Sequence, residues 1–166
     1  ILSVFFVLIK PDFQVFSNKD MSPLRNSLNH KLGSLVFFYS ACGSGYFLTE
    51  SYISLRKLEN ELIALEENLV SGQHLLDTSE EISPIQVSIS QFYGIEINDF
   101  AVSVAKTALW IAELQMMQKT QELFPNYHFD FLPLRTNAFI TEGNALRIDW
   151  ESVVPKEKLS YIMGNP

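Results

Sequence analysis

The sequence is short of cysteine, of clustered histidine and of basic charge, and each shortage removes a class of function. A single cysteine, Cys42, excludes an intrachain disulfide and fits a reducing compartment. His30, His74 and His128 are far apart in the chain, without the spacing of a zinc site, so no metal is expected in this segment. Lys and Arg number 12 against 19 Asp and Glu, giving a net charge of −7 with the acids spread throughout. Surfaces that grip a phosphate backbone concentrate Lys and Arg, so any large nucleic-acid contact is expected outside this segment. Long apolar runs are missing too: the opening "ILSVFFVLIK" is too short to span a bilayer and lacks the basic start and cleavage site of a secretory signal. It reads as a buried strand, and a cytoplasmic setting without membrane attachment follows.

What is present is a chain of 166 residues, 47% hydrophobic and 13% aromatic, enough to bury one core. It begins with Ile and stops at "MGNP", directly after an apolar strand-like run, and so reads as a fragment. Four short runs rich in β-branched and aromatic residues predict strands near 35–39, 92–97, 138–142 and 159–163. Between them, apolar residues from Phe47 to Leu65 recur at helical spacing, predicting a helix over 46–68. A second is expected over 99–119, with Asn98 or Asp99 as its N-cap. "VSGQHLLDTSEEISP" breaks the pattern as a surface insertion, and "FPNYHFDFLPLRT" reads as an aromatic loop. Strands alternating with helices imply an α/β fold with a doubly wound, mainly parallel sheet, whose ligands sit at the carboxyl ends of the strands.

Those ends carry unusual residues. The turn Ala41–Gly45, "ACGSG", lies between the first strand and a helix N-terminus, where unpaired N–H groups and the helix dipole favour an anionic or polar ligand. Such a turn also serves as a ligand-free connection. Glu96 ends the second strand, where an acid can accept bonds from both ribose hydroxyls of a nucleotide or can simply face solvent. "EGNAL" places Asn144 beyond the third strand, where its amide could both donate to and accept from an adenine edge, or merely shape a turn. At the end of the fourth strand, "GNP" presents the amide oxygen of Asn165 and an adjacent backbone carbonyl, two acceptors that can hold one NH2 group.

Glycine turn, acid, asparagine and Asn-Pro, in that order, resemble the amino-methylating DNA methyltransferases that use S-adenosylmethionine. "FFYSACGSGYFLTE" looks like their first motif, usually Asp-Pro-Ala-Cys-Gly-Ser-Gly-Asn-Phe, and "FYGIEINDFAVSVAKTALWIAELQM" like the second. "EGNAL" and "YIMGNP" resemble the third motif and the opening of the Asn-Pro-Pro-Tyr/Phe motif. The similarity runs from about Leu32 to Pro166 and is strongest to the large fused restriction–modification enzymes. It implies an incomplete class I methyltransferase fold, with residues 32–166 the N-terminal part of a catalytic domain cut after Asn-Pro and residues 1–31 an unassigned leading segment.

The resemblance further implies a site-specific methyltransferase acting on adenine N6 in DNA, with DNA bound through a recognition domain outside this chain. It sets Ala41, Cys42, Gly43 and Gly45 beside the methionine part of S-adenosylmethionine, Glu96 on the ribose hydroxyls and Ile97 against the adenine ring. Asn144, followed by Ala145, would bond the adenine amine of the cofactor, and Asn165 with the carbonyl of Pro166 would hold the target amine. Three departures stand out. Tyr39 and Ser40 occupy the usual Asp and Pro positions, Tyr46 replaces Asn, and no Gly-x-x-Tyr-Thr segment precedes the first strand. They leave two alternatives: an inactive remnant, and a protein-glutamine methyltransferase, although the latter usually carries Asp-Leu-Gly-x-Gly-Ser-Gly at this turn. A nicotinamide-dependent dehydrogenase is disfavoured because "GSGYFL" puts Leu48 where GxGxxG needs its third glycine. The segment on its own is expected to be inactive.

Overall fold

The computed structural model describes residues 22–70, 85–125 and 137–164, with side chains placed from residue 26 to 65 in the first of these stretches. The predicted opening strand, the insertion centred on 71–84, most of the 124–136 loop, and Asn165 and Pro166 lie outside the described residues. In chain order the elements are α1 (Ser22–Ser34), β1 (Phe37–Tyr39), α2 (Tyr46–Val70), β2 (Phe92–Glu96), α3 (Asp99–Leu123), β3 (Phe139–Glu142) and β4 (Tyr161–Met163), with single 3-10 turns at Ile89–Gln91 and Trp150–Ser152.

The four strands form one sheet in the order β3-β2-β1-β4, every pairing parallel. The α/β, mainly parallel reading of the sequence is therefore met. Tyr39 stands level with Gly94 of β2 and Met163 of β4, and Glu96 with Glu142, which brings the carboxyl ends of all four strands to one edge. β1 is buried along its whole length because alternate residues enter two different cores. Phe37 and Tyr39 join Leu48, Tyr52, Leu55, Leu109 and Met116 on the side of the helices. Phe38 joins Ile95 and Val154 in a second cluster, closed by the segment after β3 through Ile148, Val153 and Leu159.

Helix α3 shows why its sequence is a helix in this place. Val102, Ala105, Leu109, Ala112, Met116 and Thr120 are buried at spacings of three and four, and Asn98 caps the start by accepting from Ala101 N at 3.0 Å. Of the two cap candidates the structure selects Asn98. Where α2 crosses α3, Arg56 and Glu59 are fully buried as an ion pair. Arg56 also donates to Thr120 Oγ1 at 2.8 Å, and Glu59 Oε1 accepts the backbone N–H groups of Gln86 and Val87. This network fixes where the chain re-enters the core ahead of β2. Gln91 then ties β2 to the start of β1, donating through Nε2 to the carbonyls of Leu32 and Leu35 at 2.8 and 2.7 Å.

Element limits depart from the sequence reading at the starts of β1, β3 and β4 and at the end of β2, and both predicted helices run on, to Val70 and Leu123. Val36 lies outside β1 because its carbonyl takes two donors, Ser160 N and Tyr161 N, in an irregular entry. Ile97 lies outside β2 because the Glu96 side chain draws in Asn98 N and turns the chain into the α3 cap. The 31/32 boundary falls within α1, whose Leu28 and Leu32 pack on the main core.

Candidate functional site

The turn after β1 is held by backbone and side-chain bonds. Cys42 N donates to Ile95 O at 3.0 Å, Gly45 N to Cys42 O at 2.9 Å, and Thr49 N to Gly45 O at 2.9 Å as α2 begins. A further bond runs between two sequence-predicted site residues: Gly43 N donates to Glu96 Oε2 at 2.8 Å. The other carboxylate oxygen, Oε1, accepts Asn98 N at 3.0 Å. Glu96 is thus fixed at both oxygens, and since an ionised carboxylate has about four acceptor positions, two remain for a ligand.

The two glycines of the turn have different reasons. Gly43 has φ +56° with open space where a Cβ would stand, so conformation demands glycine and a ligand can approach the backbone there. At Gly45, φ +82°, an added Cβ would meet Ala105 Cβ at 2.8 Å, so glycine lets α2 start directly against α3. Ala41 is exposed and Cys42 is buried at 7% exposure. Cys42 is thus turned into the fold, its N–H and carbonyl engaged by Ile95 and Gly45, and burial, then the Glu96 charge, pushes its thiol up to about 11.

Beyond Glu96, Ile97 is 67% exposed, an apolar side chain in the open next to the acid. Asn144 and Ala145 are half-buried at the neighbouring strand end, tied to Glu96 by Gly143 N donating to Glu96 O at 2.8 Å. Asn144 Oδ1 already accepts Leu146 N at 2.9 Å, while its amide nitrogen has no partner among the described residues. Ala41–Gly45, Glu96, Ile97, Asn144 and Ala145 are therefore together at one sheet edge. Two exposed apolar residues that the sequence reading passed over stand there as well, Phe100 at 75% and Leu146 at 94%. Phe100 was legible, since it lies off the apolar stripe that begins at Val102.

Tyr39 ends β1 at the position where an acid was expected. It is 5% exposed, stacked on Phe47 at 5.7 Å between ring centroids, and its phenol pKa is raised by burial and then by Cys42. The edge accordingly presents free acceptor positions at Glu96, an exposed apolar side chain at Ile97 and an amide at Asn144, while β1 contributes a neutral phenol instead of a carboxylate. Among the described residues no group of three or more His, Cys, Asp or Glu could hold a metal ion, and no helix is long and apolar enough to cross a membrane.

The sequence family described as "MmeI, DNA-methyltransferase domain" matches residues 15–166, nearly the whole chain. This chain belongs to the MmeI DNA-methyltransferase family. Among curated relatives, DNA methyltransferase A of Bacillus subtilis (strain 168) is 41% identical over 149 residues, covering 89% of this chain and 16% of that protein. Among solved structures, the type IIL restriction–modification enzyme MmeI, determined in complex with DNA, superposes with a TM-score of 0.78 at 38% identity, covering 93% of this chain and 20% of that one. The chain thus spans a fifth or less of the length of these relatives. The turn at 41–45, Glu96 and the parallel sheet edge all lie inside the matched region.

Proposed function

We infer that this chain is part of a site-specific DNA methyltransferase of a restriction–modification system, which moves a methyl group from S-adenosylmethionine to the N6 of adenine. Residues 32–166 are the N-terminal part of its catalytic domain, DNA is gripped by a recognition domain outside the chain, and the setting is the cytoplasm. The observation that carries the reading is the bond from Gly43 N to Glu96 Oε2, which joins the glycine turn to the acid two elements away.

S-adenosylmethionine supplies an electrophilic methyl group when bound; the rest is binding and alignment by the protein. The two acceptor positions left on Glu96 would take the ribose hydroxyls, and Ile97 would pack on the purine. Asn144 and Ala145 meet the purine edge. The backbone of Ala41–Gly45 and the α2 N-terminus border the methionine part. The target adenine is turned out of the duplex. Asn165 Oδ1 and the Pro166 carbonyl would accept its NH2 group and hold it for methylation, and the proton the nitrogen loses would pass to solvent. Catalysis is then a matter of alignment and electrostatic stabilisation, without a covalent enzyme intermediate.

The test is transfer of isotopically labelled methyl groups from S-adenosylmethionine to unmethylated DNA by the full-length protein, followed by digestion to nucleosides. Label on adenine N6 is expected. Label on cytosine N4 or on protein glutamine would contradict the assignment. A second reading, an inactive remnant, is favoured by one observation, the buried neutral Tyr39. Under that reading no label transfers even after Asp and Pro replace Tyr39 and Ser40.

A further inference from the structure

The turn after β3 contains a bond that the cofactor reading leaves without a purpose. Asn144 O accepts Arg147 N at 2.8 Å and Ile148 N at 3.0 Å. A trans peptide is planar with N–H and C=O opposed, so this also fixes the direction of the Ala145 N–H. The next peptide plane is held at both ends. Leu146 N donates to Asn144 Oδ1 at 2.9 Å, and Ala145 O accepts the indole Nε1–H of Trp150 at 2.8 Å.

Trp150 is itself anchored. Its carbonyl accepts Val153 N and Val154 N, both at 3.0 Å, and Val154 is 2% exposed in the cluster with Phe38 and Ile95. Asp149 caps the turn, accepting Glu151 N at 3.1 Å, and the indole ring lies 5.1 Å from Phe38 of β1. Packing against Phe38 needs a ring and no donor. The indole N–H reaches a carbonyl in the peptide plane whose other end orients the Asn144 side chain.

We propose that Trp150 is a positioning residue for the purine end of the cofactor site: through Ala145 O it locks the plane that aims the Asn144 amide. The inference rests on the cofactor reading given above. The chain of contacts runs from the sheet core at Phe38 and Val154, through the indole, to Ala145 O, Leu146 N and Asn144 Oδ1. It leaves the second lone pair of Asn144 Oδ1, and Ala145 N, which takes no partner among the described residues, turned to a ligand: an acceptor and a donor that suit the exocyclic amine and N1 of an adenine. Without the indole donor the plane can rotate, and the amide no longer stands ready for the purine edge.

The experiment is equilibrium binding to the full-length enzyme and three variants, Trp150→Phe, Asn144→Ala and the double variant. The probes are S-adenosylmethionine and its analogue with a 6-oxo purine. Trp150→Phe keeps a ring on Phe38 and removes the donor. It should weaken S-adenosylmethionine binding about three- to tenfold, the range of one hydrogen bond, and reduce the preference over the 6-oxo analogue. In the Asn144→Ala background the same change should have almost no further effect, because the two residues act in series. Equal affinities for wild type and Trp150→Phe would overturn the proposal. So would losses that add in the double variant, or that fall equally on both probes, since those mark a purely structural role. If the unsubstituted enzyme binds neither probe, the cofactor reading itself fails, an outcome distinct from the others.

Discussion

Removing the carboxylate of Glu96 perturbs both the turn and the ligand it is inferred to hold. Oε2 accepts Gly43 N at 2.8 Å and Oε1 accepts Asn98 N at 3.0 Å, and the remaining lone pairs face the edge where the ribose hydroxyls are inferred to bind. Hydrogen bonds to a charged group contribute about 1.5–3 kcal/mol each in net terms. Half-buried as it is, Glu96 lets water partly replace what is lost, so one such increment is the sensible expectation for the pair of hydroxyl bonds. Glu96→Ala should therefore weaken S-adenosylmethionine binding by about 1.5–3 kcal/mol, or roughly tenfold to 150-fold in Kd. Glu96→Gln should come nearer to Ala than its shape suggests. Whichever way the amide is turned, its NH2 faces one of the two backbone N–H groups, donor against donor. Titration calorimetry on the full-length protein measures both variants. Unchanged affinity in Glu96→Ala would remove Glu96 from the site.

Two further expectations concern the body of the domain. Arg56→Met leaves Glu59 fully buried without its cation and should cost about 3–5 kcal/mol, whereas Arg56→Met combined with Glu59→Gln should cost less, since the Gln carbonyl still accepts Val87 N; thermal unfolding decides, and equal midpoints for wild type and Arg56→Met would contradict the network's role. The Cys42 thiol is raised from 9.0 to about 11, so the folded state holds its proton more tightly than the unfolded state. Its contribution to stability is complete below pH 9 and is lost as pH rises towards 11. Cys42→Ala should flatten the fall in stability over that window, and an unaltered slope would refute the assignment.

Legibility in the sequence followed the range of the forces. Strands β1 to β4 and helices α2 and α3 could be read because apolar runs and helical spacing are local signals, and the strand-end residues Glu96 and Asn144 came with them. Helix α1 was not read, although "SPLRNSLNHKL" offers a Ser-Pro start and Leu24, Leu28 and Leu32 at i, i+4 spacing, because a single row of leucines among polar residues is narrower than the usual apolar face of a helix. The cover over Phe38 was invisible for another reason. Ile148, Val153, Val154 and Leu159 have no period, and only the turn at Trp150–Ser152 brings them onto the sheet. Arg56 and Glu59 sit at helical spacing where charges usually face water, and their burial comes from the crossing of α2 with α3, a tertiary fact. Tyr39 was legible as a departure from the expected acid, while its stacking on Phe47 was not.

Asn165 bears most directly on the inferred chemistry. In the full-length protein, Asn165→Ala should lower methyl transfer to DNA by at least about a hundredfold, equivalent to about 2.7 kcal/mol of transition-state stabilisation. S-adenosylmethionine binding should hardly change, because Asn165 is inferred to meet the target amine and not the cofactor. Single-turnover transfer of labelled methyl groups, run beside calorimetric cofactor binding on the same preparation, reads both quantities. A large loss of transfer with intact binding is the predicted result; transfer that survives the substitution, or a loss explained by failed cofactor binding, would contradict the account.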